Sequence, residues 1–355
     1  MRGSSAAETS VKDTTILVLP LVAGLAPAEA GAIAGAGATP PQAASTRPHD
    51  KLVQSALPTK HLLDETAVFE LLHDARLFYA AAVLIADAQA HIWQRVRPGA
   101  EAQAHRAKPF GADELLGLMD QAGVDRAVLV PTSWSDDNGN ELALKAAQAH
   151  PRRFAVFGVL SLTAPDTPER LGSWKSTPGL LGVRASFHTE VLAPLLTNGA
   201  AEWFWPAAER AGVPVMIYAP HQLREVGRIA ERHAGLRLIV DHLGGPRLGP
   251  GVSLQDHIDE LVRLASLPNV ATKASAIPMY SREPFPFEDM HPHVCREIEA
   301  FGPERVFWGS DLTRMRTCSY RQAVEVFTEH LSCLRPPERE LVMGKALCDW
   351  IGWPL

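Results

Sequence analysis

The chain has 355 residues, 46% of them apolar and 21% charged, with a formal net charge of −6. That composition can bury a large core and argues against disorder over most of the length. The acidic balance, and the lack of any dense basic stripe interleaved with aromatics, argue against nucleic acid as a partner. No apolar run reaches the roughly 18 residues that a membrane span requires, so the expectation is a soluble, cytoplasmic protein with no membrane partner.

Residues 1–60 are rich in Ala, Gly, Pro, Ser and Thr and read as a low-complexity, flexible extension. The patch Ile16–Leu25, followed by Ala28-Glu29-Ala30, resembles a secretory signal, but Glu8 and Asp13 cancel Arg2 and Lys12 and leave no positive leader, which favours the extension. Residues 61–82 have helical apolar spacing and read as a lead-in helix.

From residue 83 to 355 the pattern becomes short apolar or β-branched runs separated by amphipathic stretches. Strands are expected at Val83–Asp87, Arg126–Pro131, Phe154–Leu160, Leu180–Ala185, Val213–Tyr218, Leu236–Asp241, Asn269–Lys273 and Arg305–Gly309. The helices between them include Ala112–Ala122, Asn140–His150, Ala201–Ala211, Arg224–His233, Gln255–Ser266, Pro292–Phe301 and Tyr320–Leu331. Strands apolar on both faces and separated by helices favour a parallel sheet, and eight such units favour closure into a (β/α)8 TIM barrel. An open doubly wound sheet is the alternative, but no G-x-G-x-x-G turn follows the first strand and Gly244-Gly245 lacks phosphate-loop spacing. Cys295, Cys318, Cys333 and Cys348 have no metal or redox spacing and read as free thiols in a reducing compartment.

In such a barrel, reactive groups project from the C-terminal ends of the strands. Polar residues gather there: Asp87 to His91 after the first strand, Arg184 after the fourth, Tyr218 and His221 after the fifth, Asp241-His242 after the sixth, Lys273 and Ser275 after the seventh, and Ser310-Asp311 after the eighth. Because strand side chains alternate, Gln89 and His91 share a face, and an axial cluster of Gln89, His91, His242 and Asp311 is expected. Arg184 reads equally as the partner of a carboxylate or as a bidentate clamp on a substrate carboxylate. Trp93, Trp134 and Tyr280 are candidates for an apolar substrate wall, with Ser275, Lys273 and Arg314 as further substrate contacts.

Six runs carry a resemblance to a known family: DAQAHIW at 87–93, AGVDRAVLVP at 122–131, WFWPAAERAGVPVM at 203–216, IVDHLGG at 239–245, YSREPFPFEDMHPHV at 280–294 and FWGSDLTRMRTCSYRQAV at 307–324. Over about residues 83–355 the chain resembles the amidohydrolase-2 group of the amidohydrolase superfamily, metal-associated barrels that include lactone hydrolases and aromatic-acid decarboxylases. The resemblance implies a first-strand His-x-His, histidines after strands five and six, and an aspartate after strand eight. Here these become Gln89 and His91, His221 (late in its run), His242, and Asp311. A neutral amide is a weak ligand, so the implied cofactor is one divalent ion, zinc first among candidates, or no metal at all.

The leading function is then hydrolysis of a lactone, ester or amide, with Asp311 as general base and with His242 and Arg184 at the reacting carbonyl. Non-oxidative decarboxylation of an aromatic or unsaturated acid is the second reading. A catalytically degenerate partner subunit, marked by Gln89, is the third. The expected partners are a small carboxylate or lactone substrate and a second copy or a paired barrel.

Overall fold

The computed structural model describes residues 83–95, 108–132, 140–164, 167–246, 253–312, 315 and 317–355. The expected extension at 1–60 and lead-in helix at 61–82 lie outside the described residues, as do Trp134 and Arg314.

Eight parallel strands form one sheet in sequence order: β1 Ala86–Ala90, β2 Arg126–Leu129, β3 Phe154–Gly158, β4 Leu180–Ser186, β5 Val215–Tyr218, β6 Leu238–Val240, β7 Val270–Ser275 and β8 Val306–Gly309. Helices follow the strands: α1 Ala112–Ala122, α2 Glu141–Ala149, α3 Thr167–Gly172, α4 Phe204–Ala211, α5 Leu223–Arg232, α6 Leu254–Arg263, α7 Ile277–Tyr280, α8 His291–Phe301, α9 Tyr320–Glu325, α10 Pro336–Glu340 and α11 Ala346–Ile351. The chain is a TIM barrel, as its alternating pattern predicts.

Local sequence explains the elements. In α5 the apolar residues Leu223, Val226, Ile229 and Ala230 fall on one face and are all buried, while the arginines and glutamates stay outward. Each fully buried Leu, Val or Ile of this kind contributes about 2 kcal/mol of transfer free energy. At α9, Ser319 accepts from the Gln322 backbone N–H at 3.2 Å while the Gln322 side chain takes the Ser319 N–H at 2.9 Å, a reciprocal capping box.

Two cores result. Ala86, Ala88, Val128, Ala155, Phe157, Met216, Ile239, Ala271 and Phe307 fill the barrel interior, and Leu347, Cys348 and Ile351 of the C-terminal helix and Trp353 just after it join them. The larger core lies between the strands and the surrounding helices. The C-terminal segment closes the barrel floor: Arg126, at the start of β2, donates to the Pro354 carbonyl at 2.5 Å and lies 5.1 Å from the centre of the Trp353 ring.

Two expectations need correcting. The first strand is Ala86–Ala90 rather than Val83–Asp87, because Ile85 is engaged by the loop before β2: its N–H donates to Asp125 Oδ2 at 2.9 Å and its carbonyl accepts from Asp125 N–H at 2.9 Å. The cysteines are not four free thiols. Cys295 on α8 is bonded to Cys333, with Cα atoms 5.9 Å apart, while Cys318 and Cys348 are free. A pairing across 38 residues has no signature in local spacing.

Candidate active site

The site begins with an irregularity in β1. Asp87 pairs with Ala127 but Ala90 pairs with Leu129, so three steps on β1 match two on β2, the mark of a β-bulge. The extra residue lets Ala88 belong to the barrel interior while Gln89 also reaches inward toward His242 and Lys273. Asp87 faces the seam with β8. It accepts from the backbone N–H groups of Gln89 (2.9 Å) and Ser310 (2.8 Å), from the Ser310 hydroxyl and from the Tyr320 hydroxyl (2.7 Å). Burial pushes the Asp87 carboxyl up from its ordinary value, and these four donors oppose the shift. The Asp311 N–H donates to the Gln89 carbonyl at 3.0 Å and completes the seam.

His91, His242 and Asp311 then meet, all buried. His91 Nε2 lies 3.0 Å from Asp311 Oδ1, and His242 Nε2 lies 3.7 Å from Asp311 Oδ2. Both rings are held from behind. His91 Nδ1 donates to the Val130 carbonyl at 2.6 Å, and His242 Nδ1 sits 2.8 Å from Ser275 Oγ. The 3.0 Å contact of His91 needs a proton or a cation between the two atoms, because a bare lone pair facing a carboxylate is repulsive. Burial pushes His242 down to about 4, against the pull of Asp311 and Asp241, so its ring is neutral near pH 7. His242 (φ 54°) and Asp311 (φ 46°) sit in the left-handed region at the ends of their strands, and the mouth is where such strained side-chain-bearing residues gather.

Below them lies a buried chain of charge. The Lys273 ammonium, with no exposed surface, pairs with Asp241 Oδ1 at 2.6 Å and donates to Gln89 Oε1, with Met216 Sδ at 3.4 Å. Asp241 also takes Arg184 Nε at 2.9 Å on its other oxygen. Burial opposes the charge on Asp241, but Lys273 and Arg184 outweigh it and hold the carboxyl below its ordinary value. Desolvation pulls Lys273 down, with Asp241 acting against it. The Arg184 guanidinium lies 5.3 Å from the centre of the Tyr218 ring, which in turn meets His242 edge-on at 5.6 Å. Gly245, with φ 69°, leaves the space that Tyr218 needs, since a Cβ there would collide with its ring.

Gln89, His91, His242 and Asp311 are therefore brought together. Lys273 and Ser275, expected as substrate contacts, are instead fully buried and brace Gln89 and His242 from below. Trp93 is buried against Phe110, ring centres 5.1 Å apart, with its Nε1 donating to the Lys108 carbonyl at 2.9 Å. Tyr280 is buried on the short helix α7. His221, expected as a late metal ligand, is exposed on a turn with φ 63°, apart from the buried cluster. Arg184 takes the carboxylate-pairing role through its Nε. Tyr320 and Asp241 were missed as partners, because only the folded seam and the β6–β7 pairing bring them to Asp87 and Lys273.

Two imidazole nitrogens and a carboxylate suit one zinc-like ion, and the outer hydrogen bond of His91 is the kind that orients a ligating histidine. Gln89 does not complete that set. Lys Nζ is a donor, so it faces the amide oxygen, and the amide nitrogen is left 3.3 Å from His91 Nε2 and 3.2 Å from His242 Nε2. Among the described residues no three His, Cys, Asp or Glu side chains form a metal cage as they stand.

Residues 86–353 match the amidohydrolase family. The L-fucono-1,5-lactonase of Burkholderia ambifaria is 27% identical over 242 residues, which cover 63% of this chain and 79% of that enzyme. The L-fucono-1,5-lactonase of Burkholderia multivorans is 28% identical over 217 residues, covering 58% and 72% respectively. In fold, the chain is similar to an amidohydrolase from Burkholderia multivorans solved with bound zinc, at a TM-score of 0.68 and 22% identity, over 76% of this chain and 100% of that one.

Proposed function

The chain belongs to the amidohydrolase family, and from that premise we propose that this hydrolase opens a lactone by attack of water at the axial site formed by His91, His242 and Asp311. The reading rests on one observation: two imidazoles tied down at Nδ1 turn their Nε2 atoms toward the Asp311 carboxylate at the C-terminal mouth of the barrel. Its substrate class is supported by the 27% and 28% identity to L-fucono-1,5-lactonases.

Asp311 acts as general base. It takes a proton from water as the water oxygen bonds to the lactone carbonyl carbon. When the tetrahedral species collapses, the ring C–O bond breaks and the departing ring oxygen takes that proton back from Asp311. The sum is lactone plus water to hydroxy acid. Arg184, with Nε committed to Asp241, offers its terminal guanidinium nitrogens to a substrate oxygen. Bound by His91, His242 and Asp311, a divalent ion, zinc first, would supply Lewis-acid polarisation of the carbonyl. Trp134 and Arg314 stay as proposed substrate contacts.

The test is acid release, followed with a pH indicator, from a panel of neutral sugar 1,5-lactones and of carboxylated lactones. The proposal expects turnover of at least one lactone without loss of carbon dioxide. Carbon dioxide release from aromatic acids with no lactone turnover would put the decarboxylase reading ahead, and an inactive chain would favour the partner-subunit reading.

A further inference from the structure

Gln89 occupies a position that the ligand set leaves unexplained: it is buried at the centre of the site, yet its side-chain oxygen is turned to Lys273 and not to the two imidazoles. Lys273 decides that orientation. Its Nζ is ion-paired with Asp241 Oδ1 at 2.6 Å and donates to Gln89 Oε1, so the amide cannot rotate without setting its own N–H against a buried ammonium. The amide nitrogen that this leaves on the inner side donates to His242 Nε2 at 3.2 Å, whereas His91 Nε2, 3.3 Å away, is turned to Asp311 Oδ1 at 3.0 Å. The Nε2 lone pair of an imidazole serves one partner at a time.

We propose that Gln89 is an internal competitor for the metal site, a wedge locked by Lys273 that a divalent cation must displace from the Nε2 of His242 before it binds. This rests on the reading of His91, His242 and Asp311 as the site. Gln89 is then no ligand, and Lys273 is a positioning residue that acts through it. The cation is held weakly and exchanges readily, because each binding event breaks the hydrogen bonds of a buried amide.

The test uses the full chain freed of metal, titrated with zinc chloride by calorimetry. Gln89→Leu keeps the bulk and removes the donor, so zinc should bind about tenfold more tightly or better, a gain of about 1.4 kcal/mol. If Gln89 were a ligand, the same change would weaken binding, and unchanged or weaker binding overturns the proposal. His242→Ala, alone and combined with Gln89→Leu, separates the two readings. Should zinc binding depend on His242 while Gln89→Leu gives no gain, only the wedge fails. Should zinc binding ignore His242 in both backgrounds, the site itself fails and the wedge with it.

A second measurement covers a Gln89→Leu protein that does not fold. In the unsubstituted chain, labelled with 15N at glutamine and histidine side chains, zinc should shift the His242 ring nitrogens and the Gln89 amide together, and the amide protons should exchange faster with water. A Gln89 amide that stays unmoved while the imidazoles titrate with zinc overturns the proposal.

Discussion

Asp311 is held by more than its chemistry. Its φ of 46° costs a residue with a Cβ about 1 kcal/mol or more, yet its N–H is fixed on the Gln89 carbonyl at 3.0 Å and its carboxylate on His91 at 3.0 Å. Strain retained against these contacts places the carboxylate, so the side chain can be changed while the backbone remains. Asp311→Asn should fold normally and lower kcat on the best lactone by about 10²–10⁴ through loss of the base. A variant that turns over at the parent rate would remove Asp311 from the proton transfer. This part of the candidate site was legible in sequence, because Gln89, His91, His242 and Asp311 all fall at or just past the C-terminal ends of apolar strands. The braces were not. Lys273 and Ser275 look like mouth residues in a linear reading, and only the inward alternation of β7 beneath Gln89 and His242 shows that they lie below it. The amide orientation of Gln89 depends on a contact 184 residues away in sequence, which no local pattern encodes.

The elements show where side chains replace regular pairing. Between β1 and β8, Asp87 gathers two backbone N–H groups and two hydroxyls across a join that also holds the Asp311 N–H on the Gln89 carbonyl. Asp87→Ala would leave those buried donors unmatched, and a loss on the order of 3 kcal/mol is expected by urea unfolding. A loss below about 1 kcal/mol would mean that water or neighbouring groups take over the donors. The run DAQAHIW exposed this aspartate in the sequence, but its partner Tyr320 begins a helix 233 residues later. On the opposite face of β7, Thr272 donates to Glu297 Oε1 at 2.7 Å, and the other Glu297 oxygen has no hydrogen-bond partner among the described residues. Burial pushes Glu297 up to about 8 from 4.5, so it is protonated in the fold at pH 7 and ionised in the unfolded chain. Its folded-state pKa is raised, so its contribution is fully present below about 4.5 and is lost as pH rises through about 8. In that window stability should fall by up to about 1.4 kcal/mol per pH unit from this group. Glu297→Gln should flatten the midpoint profile across the same range, whereas parallel profiles for the two proteins would show that Glu297 is already ionised in the fold.

At the scale of the molecule, the barrel was legible because eight apolar runs alternating with amphipathic stretches have few other solutions. The floor was not: nothing in Leu347, Cys348, Ile351 and Trp353 marks them as the plug of the barrel interior rather than another outer helix. Nor was the disulfide. Among the described residues no helix is long and apolar enough to cross a membrane, and the covalent tie lies in the helical layer instead, between α8 and the segment after the α9 helix. Closing a loop of 38 residues restricts the unfolded chain by about 4 kcal/mol in the chain-entropy description, and native strain subtracts from that. Reduction should therefore lower the unfolding midpoint of the parent but leave that of a Cys295→Ser, Cys333→Ser double variant unchanged. Thiol titration of the parent in denaturant without reductant should count two reactive thiols, from Cys318 and Cys348, and four after reduction. Four thiols without reductant, together with a midpoint insensitive to reductant, would return the chain to the free-thiol state expected from cysteine spacing.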